Sequence, residues 1–500
     1  MNGRSAGKLA RGPLLANGMK PVLYLIGLVL LSTAGMMLIP MAADIYLNNC
    51  DWQSFASAAA LAAAIGLTFM RIGRASLQSG LTLRQAFLLT PLCWLSVSIV
   101  SAMPFYFAEY GIVSRSMADA FFEAVSGITT TGGTVITGLE NAPPGMLLWR
   151  ALLQWMGGIG IIATAIAILP ALGIGGMQLF RTESSDRSEK VMPRVRQMAG
   201  AIGAVYLGLT AIATVTYWLT GMRAFDALAH ALTSIATGGY STSDASFGKW
   251  EANGIQWFAT LFMLSGSVPF VLYVRILAGD HKAIWDRQVK TMLTFVAIVI
   301  LLVGSWLAVS GQYALEPAFR HAAFNVVSVV TTTGYASADY SLWGNALVGL
   351  FFGLMFVGGC TGSTSGGIKI FRFEVMAIML KAHFRRLLFP RGVFPRSYGE
   401  RPIGEEVIGS VVAFFAVYFL CYAVLTIALM GVGLDFLTGA SGAATALSNV
   451  GPGLGDVIGP AGNFGSLPDA AKWLLSVGML LGRLELFTVL ILFLPRFWRG

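Results

Sequence analysis

Long apolar blocks, separated by short polar or basic segments, run along the whole chain. Blocks of about 20 residues match the thickness of a bilayer, and lipid satisfies the backbone only in helices or closed barrels. We therefore predict helical membrane spans at residues 22–43, 54–70, 85–108, 147–172, 197–220, 254–278, 291–311, 345–359 with 370–380, 407–433 and 473–494. The pattern indicates an all-α polytopic membrane protein.

Four connections between these spans share a second pattern, in which a half-length apolar helix leads into a polar loop. They begin near Asp119, Asp226, Phe319 and Asp435, and we align them on Gly132, Gly238, Gly334 and Gly451. We expect the three aspartates to be N-caps of the half-helices. Each repeat is then a helix, a re-entrant loop and a second helix. The predicted domains are an extra N-terminal helix pair at 1–78 and four pore repeats at 79–180, 181–286, 287–398 and 399–500.

The composition fits this fold and excludes several others. Of the 500 residues, 56% are hydrophobic and only 11% are charged, which neither a soluble nor a disordered chain shows. The four cysteines and four histidines have no metal-ligand spacing, so we predict neither a zinc site nor a disulfide framework. No paired carboxylates or nucleophile motif stands near either face, so we predict that the protein is not an enzyme.

The net charge of +9 raises the question of nucleic-acid binding, but the positions of the basic residues give another explanation. If the spans alternate in direction, 26 of the 33 lysines and arginines fall on one side. The opposite side keeps only Arg115, Arg150, Arg223, Lys249, Arg320 and Lys472. Cytoplasmic loops of membrane proteins carry such an excess of positive charge. We therefore predict cytoplasmic termini and no nucleic-acid partner.

The residues at the tips of the four loops indicate which kind of ligand the loops can bind. Re-entrant loops need protein or water around their backbone, so four of them on one side are expected to converge on a common axis. Glycine and threonine supply carbonyl and hydroxyl oxygens there, and the half-helices direct their negative C-terminal ends toward them. The absence of charged residues at the tips favours a monovalent cation. The predicted ligands are Thr130, Thr131, Gly132, Ala236, Thr237, Gly238, Thr332, Thr333, Gly334, Asn449, Val450 and Gly451.

Three further motifs accompany these loops: W-M-G-G-I-G-I-I-A-T-A-I-A-I-L-P at 155–170, G-G-C-T-G-S-T-S-G-G-I-K at 358–369 and G-R-L-E at 482–485. With them, the chain resembles the Trk/Ktr/HKT superfamily of potassium transporters and looks most like its TrkH-type bacterial subunits. The resemblance implies a pseudo-fourfold pore in the bacterial inner membrane, a homodimer and a cytosolic TrkA-type nucleotide-binding regulatory ring. It implies potassium as the transported ion and no cofactor in this chain. Plant members that prefer sodium have serine where this chain has Gly132, so the glycine favours potassium.

The glycine-rich motif bears on gating. Between Gly358 and Gly367, five glycines and five cysteine, serine or threonine residues interrupt an apolar span, so the helix is expected to break there. One explanation is tight small-residue packing between helices. The resemblance instead implies a flexible loop across the pore, with gating residues Gly358, Gly359, Thr361, Gly362, Gly366, Gly367 and Lys369. Lys369 is either the first cytoplasmic charge or a group that blocks the pore.

Arg483 is assigned to neither side, because it lies about ten residues into the last predicted span. A charge near the middle of a membrane costs about 2.5–3.5 kcal/mol on insertion scales, so this side chain should face water, a partner or the pore. Glu485 is two positions away and does not share its helix face, but another carboxylate or a carbonyl could pair with it. The resemblance places Arg483 in the cavity beneath the filter, where its charge would limit cation flux.

Two questions stay open at this stage. A gated potassium uptake pore is the main functional interpretation, and a sodium- or proton-coupled secondary cation transporter is the alternative. The latter would need ionisable residues inside the spans, where Arg483 and Glu485 are almost the only ones. The long basic loop at 381–406 fits either attraction to anionic membrane lipid or docking of the regulatory ring.

Overall fold

The computed structural model describes residues 19–74, 81–167, 191–251, 254–399 and 401–499. Within these ranges the chain is helical, apart from loops and one two-stranded ribbon. Seven described helices are long and apolar enough to cross a membrane, or up to nine if each of two bent pairs is one span. The predicted all-α polytopic membrane fold is confirmed. Arg4, Lys8, Arg11 and most of the basic cluster at 181–196 lie outside the described residues.

Two N-terminal helices, α1 (Lys20–Tyr46) and α2 (Trp52–Gly73), form an antiparallel hairpin. Their backbones come close at Gly27 and Gly66, where a Cβ on Gly27 would lie 2.6 Å from the Gly66 carbonyl oxygen. Small residues allow such close helix packing in membranes. The hairpin stands beside the first pore repeat, because α1 packs against both long helices of that repeat.

Repeat 1 contains a first span, a pore helix and a second span: α3 (Leu83–Phe107), α4 (Met117–Ile128) and α5 (Pro144–Ala167). The first helix opens with a capping box, in which the Thr82 hydroxyl accepts the Gln85 amide and the Gln85 side chain accepts the Thr82 amide. In α5, 78% of the most apolar stretch is buried inside the protein. It packs between the hairpin and the helix Ala224–Ile235 of the second repeat, which accounts for its burial.

Repeat 2 contains α6 (Val191–Leu219), the pore helix α7 (Ala224–Ile235), and the pair α8 (Ile255–Ser267) and α9 (Phe270–Leu277). The prediction of one continuous span at 254–278 is wrong, because α8 and α9 meet at 92°. Pro269 lies in the break. Proline lacks a backbone N–H and disfavours a helical conformation in the residue before it, which accounts for the bend.

Repeat 3 contains α10 (Arg287–Val309), the pore helix α11 (Leu315–Val330), and a second span split into α12 (Asn345–Leu354) and α13 (Ile370–Leu388). The glycine-rich run lies in the non-helical stretch between the last two helices. After α13, the strands β1 (Ser397–Tyr398) and β2 (Arg401–Pro402) pair antiparallel.

Repeat 4 contains α14 (Glu405–Gly431), the pore helix α15 (Phe436–Ser448), α16 (Gly455–Ile458), α17 (Asp469–Arg483), α18 (Phe487–Leu490) and α19 (Pro495–Arg499). The prediction of a single span at 473–494 is also wrong, since the chain turns by 104° after Arg483. Glu485 adopts a left-handed conformation at this bend, with φ +58°. The second spans of repeats 2, 3 and 4 are therefore all interrupted.

The pore helices begin with different caps from those predicted. Asp435 is the N-cap of α15, where its carboxylate accepts the Thr438 amide at 3.1 Å. The same expectation is wrong for Asp119 and Asp226, which lie inside the first turns of their helices. The cap of α4 is Ser116, and Asp119 instead forms a buried ion pair with Lys472 at 2.5 Å. A carboxylate in a first turn is favourable without being the cap.

Candidate ion pathway

Four pore loops adopt one backbone conformation. Just after each pore helix, a non-glycine residue is left-handed: φ is 53° at Thr130, 49° at Thr237, 56° at Thr332 and 56° at Asn449. Threonine is branched at Cβ and rarely adopts this conformation, so its presence in three loops requires that the surroundings enforce it. Two positions later, a glycine also has positive φ: Gly132, Gly239, Gly334 and Gly451. The loops are thus structurally equivalent.

This equivalence corrects the predicted alignment of the second loop by one residue. Gly239, rather than Gly238, matches Gly132, Gly334 and Gly451. Gly238 matches Thr131, because each of their amides donates to the pore-helix carbonyl five residues earlier, at 2.8 Å and 2.9 Å. Two adjacent glycines made the register ambiguous. Aligning Tyr240 with Tyr335, each directly after its glycine, would have given the observed register from the sequence.

The four loops close into a ring. A Cβ atom on Gly132 would collide with the Gly238 carbonyl oxygen of the next loop. The same holds around the ring, for Gly239 with Thr333, Gly334 with Val450 and Gly451 with Thr131. Each glycine therefore lies against a carbonyl of the following repeat, in the order 1, 2, 3, 4 and back to 1. Only a residue without a side chain permits this approach.

The ring is buried and made of neutral groups. Its tips consist of backbone carbonyls, threonine hydroxyls and the amide of Asn449, whose Nδ2 donates to Thr131 Oγ1 at 2.9 Å. All four pore helices end at these tips, so their negative dipole ends face the ring. All twelve predicted ligands lie in the four loops. A ring of neutral oxygens with helix C-termini behind it is suited to a dehydrated cation of low charge.

The glycine-rich loop of repeat 3 lies directly beneath the ring. The Thr364 hydroxyl is 2.8 Å from the Gly266 carbonyl oxygen and 3.1 Å from Thr237 Oγ1 of the second pore loop. The Gly366 amide donates to Thr332 Oγ1 of the third pore loop at 2.6 Å. A Cβ on Gly366 would also collide with the Ser448 carbonyl, at the end of the fourth pore helix. The loop therefore contacts three of the four repeats that form the ring.

The remaining predicted gating residues anchor this loop. Its two ends meet where the Gly358 amide donates to the Ile368 carbonyl at 2.9 Å, with Gly367 packed beside them. The Thr361 amide donates to Gln288 Oε1 at 3.1 Å, and the Phe270 amide donates to the Gly362 carbonyl at 3.1 Å. Gly359 packs against Ser365 inside the loop. The two ends of the loop are therefore joined to each other, and we call the paired residues Gly358 and Ile368 its neck.

Arg483 joins the loop to repeat 1. Its Nη1 donates to the Thr364 carbonyl at 2.9 Å and its Nη2 to the Gly157 carbonyl of α5 at 3.3 Å. Carbonyls are thus its partners, one of the two pairings expected from the sequence. Lys369 is 8% exposed and donates to the Ser365 carbonyl, so it is not a solvent-exposed charge at the end of the loop. A cavity lies between these groups, lined by Ile161, Ser363, Ser365, Lys369, Arg483 and Glu485 among others.

The structure contains several buried ion pairs that we did not predict from the sequence. Arg150 and Lys472, assigned to the outer surface, are buried and pair with Glu123 at 2.8 Å and Asp119 at 2.5 Å. Glu485 pairs with Arg372 of α13 at 2.6 Å. A carboxylate in an apolar pore helix requires a partner, so Glu123 itself was the available signal. The partner lies 27 residues away and could not be identified without the fold.

Known proteins share this architecture. Residues 56–499 match the TrkH family, described as a cation transport protein. The chain is 48% identical to the Trk system potassium uptake protein TrkI of Halomonas elongata over 482 residues, covering 96% of this chain and 97% of that protein. It is 35% identical to the Trk system potassium uptake protein TrkH of Escherichia coli K12 over 486 residues, covering 96% and 99%.

The fold comparison agrees. The crystal structure of the potassium transporter TrkH from Vibrio parahaemolyticus superposes with a TM-score of 0.88 at 34% identity, covering 96% of this chain and 100% of that one. Sequence and fold therefore lead to the same assignment, and the chain belongs to the TrkH family of cation transport proteins.

Proposed function

We propose that this protein mediates potassium uptake across the bacterial inner membrane through a gated, selective pore. The observation that carries the proposal is the closed ring of four pore loops, in which every glycine meets a carbonyl of the next repeat. The relatives with the matching architecture are named potassium uptake proteins. Membership of a cation transport family also confirms that the chain is not an enzyme.

The predicted ligands, with Gly239 added, form the potassium filter in this proposal. Potassium would exchange its water shell for carbonyl oxygens of the ring, and the helix C-termini would offset the loss of hydration. A sodium- or proton-coupled carrier is less well supported. Arg483 and Lys369, the basic groups that line the cavity in the described structure, donate to backbone carbonyls, and the relatives cited above are named potassium uptake proteins.

Reconstitution tests the transport function. Purified protein in liposomes is expected to carry potassium and rubidium down their gradients faster than sodium and lithium, without accompanying proton movement. Potassium flux that requires an opposing sodium or proton gradient would support the coupled carrier instead. The matched control is empty liposomes of the same lipid.

The glycine-rich loop and Arg483 form the gate in the same proposal. They occupy the space beneath the ring, and the hydrogen bonds from Thr364, Gly366 and Arg483 hold them there. Opening would require the loop to leave this position. Its glycines lower the cost of such a backbone rearrangement.

The partners are proposed from the cytoplasmic face. With both termini cytoplasmic, the last turn of α13 and the segment after it present a run of basic residues, of which Arg385, Arg386 and Arg391 are exposed. We expect this face to bind anionic lipid and a cytosolic TrkA-type nucleotide-binding ring, and two copies of the chain to form a homodimer. Co-purification with a TrkA-like protein of the same genome, reduced when these arginines are replaced by glutamine, tests the ring. Unchanged co-purification would exclude this surface as the docking site.

A further inference from the structure

One position on the pore helices differs in kind among the repeats. It lies nine residues before each filter glycine, and its occupants are Glu123, His230, Asn325 and Gly442. In the first three repeats, this side chain reaches the segment that leaves the filter on the other side of the loop. In the fourth repeat the position has no side chain. We call this bridging side chain a brace, and we call the pore loop of each repeat one corner of the pseudo-fourfold ring. The brace therefore differs from corner to corner.

The three side chains bridge their loops in similar but not identical ways, since two accept a backbone amide and His230 meets a hydroxyl. Glu123 accepts the Val135 amide at 3.0 Å. His230 Nε2 lies 3.0 Å from Ser241 Oγ, and Asn325 Oδ1 accepts the Ser337 amide at 3.2 Å. Each bond closes a loop of about a dozen residues, with the filter at its tip. Bridging the two sides of a loop restricts the positions that its tip can adopt.

The first corner has the strongest of these braces. Glu123 pairs with Arg150 at 2.8 Å, and the two side chains are 0% and 1% exposed. The Thr134 hydroxyl donates to both carboxylate oxygens, at 3.0 Å and 3.1 Å. Hydrogen bonds to a charged group are shorter and roughly twice as strong as neutral ones. The exit of the first pore loop is therefore fixed by an ionic cluster.

Arg150 extends this cluster to the second corner. Its Nη1 donates to the Ser241 carbonyl at 2.9 Å, and its guanidinium carbon lies 4.1 Å from the centre of the Tyr240 ring. The Tyr240 hydroxyl returns to the first repeat, where it donates to the Glu123 carbonyl at 2.8 Å. One ion pair thus holds two adjacent filter loops in register with each other.

Stability alone does not account for a buried pair of this kind. Replacing a buried ion pair with apolar residues of similar volume is often neutral or stabilising, because desolvation of both charges offsets their attraction. A fixed geometry is what the pair adds here. On the basis of the proposed function, we propose that Glu123 and Arg150 are positioning residues that hold the first two corners of the filter and so set its selectivity for potassium over sodium.

The test compares two buried ion pairs on the same pore helix. E123A/R150M removes the pair that braces the loops and leaves no unpaired charge. D119A/K472M removes the pair one turn earlier, which has similar burial and, among the described residues, no side-chain hydrogen bond to the filter loops. Flux of potassium and of sodium is measured for each variant in liposomes. We expect E123A/R150M to lose about tenfold in the potassium-to-sodium ratio, the effect of one hydrogen bond to a charged group.

A conservative variant separates positioning from general damage. E123Q/R150M keeps an amide oxygen that can accept the Val135 amide, so we expect it to lose only about threefold in the ratio, since a neutral bond is weaker. D119A/K472M is expected to keep the wild-type ratio. If the alanine variant does not fold, the glutamine variant against D119N/K472M decides the question.

Folded variants of the brace that keep the wild-type ratio, or a control that loses as much, would overturn the proposal. Lower flux of both ions in equal proportion would overturn it as well, because that is the signature of a merely structural pair. A wild-type protein without potassium preference would refute the proposed function instead, so the two failures are distinguishable.

Discussion

The ring of pore loops and the glycine-rich loop beneath it use the same small residues, but they are held to different degrees. The ring repeats one backbone conformation four times and locks it through glycine–carbonyl contacts that leave no room for a side chain. The lower loop occurs once, in repeat 3, has one glycine–carbonyl contact with the end of a pore helix, at Gly366 and Ser448, and is otherwise held there by hydrogen bonds from Thr364, Gly366 and Arg483.

This difference implies that the ring of pore loops is rigid and that the glycine-rich loop is the easier of the two to move. Moving one filter glycine disturbs the carbonyl of its neighbour and then the rest of the ring, because the contacts are cyclic. Moving the lower loop gives up the contact of Gly366 with Ser448 and a set of hydrogen bonds, each worth about 0.5–3 kcal/mol depending on charge, and this loss is not passed around a cycle. Glycine content alone therefore does not predict which of two loops moves. The number and kind of contacts around the glycine decide it.

Gly132→Ser should give the largest effect on the ring. The new Cβ would collide with the Gly238 carbonyl, and φ is +87° there, so the first corner must distort. Strain of this kind costs about 1–3 kcal/mol, and we expect the potassium-to-sodium flux ratio to fall about tenfold or more. Gly349→Ser in α12 is the matched control, since its Cβ would meet open space. An unchanged ratio in folded Gly132→Ser would remove Gly132 from the filter.

Arg483→Ala should give the next largest effect, and it should fall on the gate alone. The substitution removes the bonds to the Thr364 and Gly157 carbonyls together with a positive charge beneath the ring. We expect potassium flux to rise about tenfold with the ion ratio preserved, and the gain to be largest at low salt. Arg483→Lys keeps the charge but loses the two-pronged contact, so an intermediate flux is expected. A drop in the ion ratio would place Arg483 in the filter instead.

Thr364→Val sharpens the comparison with a smaller change. The substitution keeps the shape of the side chain and removes the hydroxyl that lies between the Gly266 carbonyl and Thr237. We expect a gain in potassium flux of about threefold, the value of one neutral hydrogen bond. Thr361→Val is the control in the same loop, because its hydroxyl has no hydrogen-bond partner in the described structure. Equal fluxes for the two variants would mean that the Thr364 bond does not hold the loop.

Hydropathy and the fourfold pattern were sufficient to predict the helical membrane fold, because span length and loop composition are local properties. The bends after Ser267 and Arg483 were missed, since apolar residues flank both and the window averages over them. Pro269 was a visible signal for the first bend, whereas the turn at Glu485 is accompanied by a tertiary ion pair with Arg372 that only the fold reveals.

In the candidate site, too, local features could be predicted from the sequence and tertiary contacts could not. The sequence pattern aligns Gly132, Gly334 and Gly451 as the structure does, but it aligns the second loop on Gly238 instead of Gly239, because two adjacent glycines fit equally well. The pair of Glu123 and Arg150 joins a pore helix to the following span, so only the fold brings the two charges together. Contacts between repeats are what a linear pattern lacks.

The central claim is that gate and filter are separate, and one deletion tests it directly. Removing residues 360–364 joins Gly359 to Ser365, which already pack together, and eliminates the Thr364 contacts while keeping the neck of the loop. Potassium and sodium flux are then measured in parallel in liposomes, beside wild-type protein. We expect potassium flux to rise while the potassium-to-sodium ratio stays within about twofold, less than one hydrogen bond would change it. A folded deletion variant whose flux is unchanged, or whose ratio collapses, would contradict the account.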